Sequence, residues 1–162
     1  MPGEPVILVD DTGARIESFV TALGRFPLVP RWGLIGGFAV NVRISQVHRL
    51  TNDIDTVCRD RAALVEILLA EPDAEGLSAA KLRFTRGDLP VDIDVMGDMA
   101  GVTLAGEPSE RAFTLARRMA LATSDTLDLL VVDGDGRSLA NASTPVATVA
   151  SLVADLGHVL VE

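Results

Sequence analysis

Gly33-Leu34-Ile35-Gly36-Gly37-Phe38-Ala39-Val40, followed by Arg49-Leu50-Thr51-Asn52-Asp53-Ile54-Asp55, is the stretch on which the fold reading turns. Trp32 to Ile35 predicts a short buried strand closed by two glycines, with a helix over Phe38 to Ile44 and a loop over Ser45 to Asn52. Asp53 to Cys58 alternates carboxylate and apolar side chains, the two-residue period of a strand. Downstream, Asp60 is placed to cap a helix with Ala63, Leu64, Ile67 and Leu68 on one face, and residues 71–76 read as a loop. Leu82 to Thr85 and Leu89 to Met96 predict paired strands, and Ser109 to Ala122 an amphipathic helix. Leu127 to Val132 and Ser138 to Ala142 predict a hairpin around Asp133-Gly134-Asp135-Gly136, before an apolar, helical segment from Val146 to Val161. Upstream, Val6 to Val9 is a short apolar run, and Asp11 or Thr12 is placed to cap a helix carrying Ile16, Phe19, Val20 and Leu23. Strands and helices interleave without a strict alternating rhythm. The expectation is an α/β protein of the α+β kind, a mixed sheet flanked by helices in one domain over residues 1–162.

Composition narrows the function classes. The chain has 162 residues, 48% of them hydrophobic, which suits a packed domain and excludes a disordered one. No apolar run approaches the roughly 20 residues of a membrane span, and the N-terminus has no basic flank of the secretory kind. Cys58 is the single cysteine, so no internal disulfide can form and a reducing cytoplasm is the expected compartment. A net charge of −9 argues against a broad nucleic-acid-coating surface, while a local cluster of arginines can still meet phosphate. Thirteen of the fourteen cations are Arg; Lys81 is the lone lysine.

The chemistry-bearing residues are the glycines and the paired aspartates. A strand ending in Gly36-Gly37 and running into a helix presents backbone N–H groups to an anion such as a triphosphate, with no Cβ to block its approach. Asp53 and Asp55, two apart on a strand, point to one face, where like charges are unfavourable unless a cation sits between them or one is protonated. A hard divalent ion, Mg²⁺ above all, is the natural partner for such oxygen ligands. Asp92 and Asp94 repeat the alternation inside the apolar run Val91 to Met96, and if that strand neighbours the first, one or two of these acids complete a metal cluster. Glycines that cradle phosphate and convergent carboxylates are the equipment of metal-assisted nucleotidyl transfer.

This pattern of strand, Gly-Gly, helix, then Arg49-x-Thr51-x-Asp53-Ile54-Asp55, then a strand with a third acid, resembles the DNA polymerase β-type nucleotidyltransferase superfamily. Within it the chain is similar to the AbiEii/AbiGii toxin-like nucleotidyltransferases, which include the mycobacterial MenT toxins. The resemblance implies a nucleotidyltransferase-like core in which Gly36 and Gly37 take the triphosphate and Asp53 and Asp55 are paired metal ligands. It places the third acid on Asp92 or Asp94, with Asp92 the first choice as metal ligand. Thr51, Arg43 and Arg49 become candidates for nucleotide contact. The activity implied is transfer of a nucleoside monophosphate from an NTP to a hydroxyl, on tRNA or another RNA, by the toxin of a toxin–antitoxin pair with an antitoxin protein as partner. Relatives continue into a helix that carries a lysine, whereas Ala150 to His158 contains none and Lys81 lies elsewhere. A chain whose C-terminal part is missing or altered, with the same fold but only a binding role toward nucleotide or partner, is therefore the alternative.

Three further signals are set aside. Asp11-Thr12-Gly13-Ala14 matches an aspartic-protease signature, but those enzymes are nearly all β and helical spacing follows here. Asp133-Gly134-Asp135-Gly136 lacks the later ligands of a calcium loop. Arg111, Arg117 and Arg118 read as a solvated helix face.

Overall fold

The computed structural model describes residues 3–11, 15–46, 53–86, 89–101, 103–104 and 106–153. In chain order the elements are β1 (Val6–Val9), α1 (Arg15–Leu23), β2 (Trp32–Ile35), α2 (Gly36–Arg43), β3 (Asp53–Cys58), α3 (Arg61–Leu69), β4 (Ala74–Gly76), β5 (Lys81–Arg86), β6 (Leu89–Gly97), α4 (Pro108–Ala122), β7 (Asp125–Val132) and β8 (Ser138–Val146). The eight strands form one mixed sheet in the order β1-β7-β8-β2-β3-β6-β5-β4. The expected mixed sheet with helices is what the chain adopts.

Most boundaries follow local chemistry. The Asp60 side chain accepts the Ala63 N–H at 3.1 Å and so caps α3. Pro108 opens α4, where Glu110 reaches back to the Glu107 N–H at 3.2 Å. The Asp133 to Gly136 turn joins β7 and β8, as expected. Three boundaries depart from expectation. Helix α2 begins at Gly36 itself rather than after the glycines. Residues 74–76, read as loop, pair with β5 and form the sheet edge. Val146 belongs to β8, and helix resumes only over 149–153, with the remainder of the expected terminal helix outside the described residues.

Strand β2 explains how the layers assemble. All four of its residues are buried, as expected of a strand covered on both faces. Leu34 and Ile35 point to opposite sides of the sheet. On the Leu34 side lie Ile54, Ile93, Leu82 and Phe84, covered by α1 and α2, whose Phe19 and Phe38 rings meet edge to face at 5.2 Å between centroids. On the Ile35 side, Ala116 and Ala120 of α4 and Leu152 close over the strand. Asp53, Asp55, Asp92 and Asp94 share that second side, because β3 and β6 run parallel with Asp53 beside Asp92 and Asp55 beside Asp94. No helix among the described residues is long and apolar enough to cross a membrane.

Phe38 anchors α2 in the core one residue after the glycine pair, and it is 1% exposed. Replacing it with Ala is expected to cost about 3–5 kcal/mol, because a buried ring leaves a cavity as well as lost transfer energy. Urea unfolding measures this; a loss below about 1 kcal/mol would refute the packing described for α1 and α2.

Candidate metal centre

Asp53, Asp55 and Asp94 each offer a carboxylate oxygen, and the three atoms lie within 4.8 Å of one another. They are the one such group among the described residues, and all three side chains are half-buried. The parallel register of β3 and β6 places them together. Core residues on the opposite face, Ile54 and Ile93, are fully buried and in register with each other, so the sheet cannot slip without turning acids into the core. A group of three hard oxygen donors at this spacing can hold a metal ion.

The third acid is Asp94, not Asp92. Although Asp92 sits beside Asp53 in the register, its carboxylate turns the other way, to β5. The Arg83 fork binds it there through Nε to Oδ1 at 2.6 Å and a second N–H to Oδ2 at 3.1 Å. Both oxygens are occupied, and this bidentate pairing holds the Asp92 carboxyl below the usual carboxylate range. Asp94 faces Lys81 across the same two strands, at 3.8 Å from Nζ to Oδ1. An ammonium at that distance is an ion pair without a hydrogen bond, and it leaves the carboxylate free to bind elsewhere. Burial, followed by hydrogen bonding with Asp53, raises the Asp94 pKa.

Asp55 is the most perturbed acid. Desolvation, then the charges of Asp53 and Asp94, push its pKa from 3.8 up to about 7, with Arg117 acting in the opposite direction. Its position also explains the first glycine. Gly36 has φ +75°, and a Cβ there would collide with Oδ2 of Asp55 and stand 3.0 Å from its Cβ. Any side chain at 36 would therefore strain the backbone and displace the Asp55 carboxylate. The residue before α2, Ile35, supplies no side-chain cap. The first N–H groups of α2 thus open beside the acids with the helix dipole pointing toward them.

The other expected residues are distributed differently. Gly37 is the second residue of α2, next to this opening. Arg43 is at the far end of α2 and is engaged in holding the fold: it donates to the carbonyls of Ala147 at 2.9 Å and Val146 at 2.8 Å, and pairs with Asp125 at 3.2 Å. These contacts tie it to the end of β8, at the opposite end of α2 from the acids. Thr51 and Arg49 lie outside the described residues. Two cations were missed. Lys81 approaches Asp53 Oδ2 at 3.7 Å as well as Asp94. Arg117, expected on a solvated face, acts on Asp55. Only the alternation of Lys81 and Arg83 along a strand paired with Val91 to Met96 hinted at the first.

The Asp55 pKa sets a pH dependence with a definite sign. A carboxyl whose folded pKa exceeds its unfolded value holds its proton more tightly when folded, so its contribution is fully present below about pH 4 and lost as pH rises to about 7. In EDTA, the melting temperature is expected to fall across that interval because of this group. Asp55→Asn should flatten the decline and raise the melting temperature above pH 7; an unchanged slope would refute the assignment.

In comparisons with known proteins, no family model matches the chain, and no curated protein sequence matches it significantly.

Proposed function

We propose that this protein is a Mg²⁺-dependent nucleotidyltransferase that moves a nucleoside monophosphate from an NTP to a hydroxyl. The observation that carries the reading is the convergence of Asp53, Asp55 and Asp94 within 4.8 Å beside the glycine-opened start of α2. When bound by these acids, Mg²⁺ would supply charge neutralisation on the triphosphate and its leaving group. The chain's own residues do the rest. Asp53, Asp55 and Asp94 orient the ion, and Asp55 must lose its proton to do so, which favours binding at pH 7 and above. The uncapped N–H groups of α2 face the incoming phosphates, and Gly36 keeps that approach clear. Arg83 keeps Asp92 engaged, so three acids rather than four serve the ion.

The acceptor suggested by the resemblance is RNA, the 3′ end of tRNA being the first to test, in the setting of a toxin with a partner antitoxin in the cytoplasm. A second reading is favoured by one observation: residues 147–153, which follow β8, contain no lysine or arginine. On that reading the fold binds nucleotide, or a partner protein, without transferring anything.

Incubation with each labelled NTP, Mg²⁺ and total tRNA tests both. Transfer is expected to label the RNA, and Asp53→Ala with Asp55→Ala should reduce labelling by at least about 10³-fold, the scale for loss of charge stabilisation at a reacting phosphate. Undiminished labelling would place the chemistry elsewhere. Mg²⁺ with NTP is also expected to raise the melting temperature. A shift without labelling would leave the binding reading standing, and no shift with any NTP at millimolar concentration would remove nucleotide binding altogether.

A further inference from the structure

Lys81 attends the acid cluster differently from Arg83, two residues along the same strand. Its ammonium stands almost equally far from two carboxylates, 3.7 Å from Asp53 and 3.8 Å from Asp94, beyond hydrogen-bond reach of both. The group is held by the field between them rather than by a directed bond. Its backbone, by contrast, is pinned: the Lys81 carbonyl accepts the N–H groups of Leu77 at 2.9 Å and Ser78 at 3.0 Å. The side chain is 36% exposed, so the flexible stem has room to swing from this fixed base. Two residues along, Arg83 shows the opposite arrangement, a fork locked onto both oxygens of Asp92.

A divalent ion on Asp53 and Asp94 would draw on the same two carboxylates that attract this ammonium, and two cations held that close repel each other. It would sit about 2 Å from its ligands and repel the Lys81 ammonium, which its half-exposed, flexible stem leaves able to move away. We propose that Lys81 is a built-in counter-ion of the acid cluster, displaced by the metal ion and then engaged by an anionic oxygen of the substrate's polyphosphate. The role rests on the metal-site reading above. Lys81 thereby restrains metal entry while the site is empty of substrate and strengthens binding of the substrate once the metal is in place.

The signature is a pair of effects with opposite signs. Mn²⁺ alone, followed by electron paramagnetic resonance or calorimetry, is expected to bind Lys81→Gln about 3- to 10-fold more tightly than wild type, the scale for removing two half-exposed ion pairs. Inorganic tripolyphosphate, titrated at saturating Mn²⁺, is expected to bind Lys81→Gln about 3- to 10-fold more weakly. Lys81→Arg retains the charge, and should bind Mn²⁺ no more tightly than wild type. A merely structural lysine would weaken both ligands together on removal. If wild type binds Mn²⁺ and Asp55→Asn abolishes it, but Lys81→Gln binds Mn²⁺ no more tightly, the counter-ion role is overturned and the metal site stands. Tighter Mn²⁺ with unchanged tripolyphosphate would overturn the substrate contact alone. If none of the proteins binds Mn²⁺, the metal reading fails and this role falls with it.

Discussion

Repulsion among Asp53, Asp55 and Asp94 is the constraint around which the centre of this sheet is organised. Within 4.8 Å and at an effective dielectric near 20, each fully ionised pair is worth at least about 3.5 kcal/mol of repulsion. What holds the acids together lies on the other face. Ile54 and Ile93 pair across β3 and β6 in the core, each fully buried, and burial of such a side chain contributes about 1.5–3 kcal/mol. The hydrophobic effect thus fixes the register, and the register imposes the charge cluster. Relief comes partly from a proton on Asp55 and partly from Lys81 and Arg117.

The difference between a guanidinium and an ammonium then sorts the acids. Asp92 and Asp94 each lie between two β-branched apolar residues and face the same strand, β5. Arg83, planar and forked, satisfies both oxygens of Asp92 and removes it from the cluster. Lys81, a point charge on a flexible stem, attends Asp94 without saturating it. One acid is a structural ion pair and its neighbour is a candidate ligand because of which cation stands opposite.

Gly36 couples this centre to the adjacent helix. Its missing Cβ lets α2 begin against Asp55, so the helix N-terminus and the carboxylates lie side by side. An anion drawn to the first and a cation drawn to the second would meet there, which is the arrangement a metal-bound triphosphate requires. Arg43, at the other end of the same helix, ties it to the end of β8 through two backbone carbonyls, and so fixes the angle at which α2 leaves the sheet.

Much of this was legible in the residues alone. The two-residue alternation of Asp53 to Cys58 and of Val91 to Met96 identified both acid-bearing strands, and Gly36-Gly37 marked the turn between strand and helix. Periodicity also placed α1, α3 and α4, the Asp60 cap placed the start of α3, and the Asp-Gly turn placed the β7–β8 hairpin, because those signals are local; at the start of α1 the Glu17 N–H goes to Asp10, one residue before the expected Asp11, while Thr12 lies outside the described residues. β4 escaped notice because Ala74-Glu75-Gly76 has no strand signature of its own and is extended only by pairing with β5. Arg43 and Arg117 illustrate a related point: whether an arginine is solvated depends on which carbonyls or acids the fold brings to it. By itself the sequence determined that acids would line one face of two strands, since side-chain direction follows from chain geometry. Only the tertiary structure decided that those strands run side by side in parallel, that Arg83 withholds Asp92, and that Lys81 stands over Asp53 and Asp94, because each is a contact between strands whose order along the chain does not specify their order in the sheet.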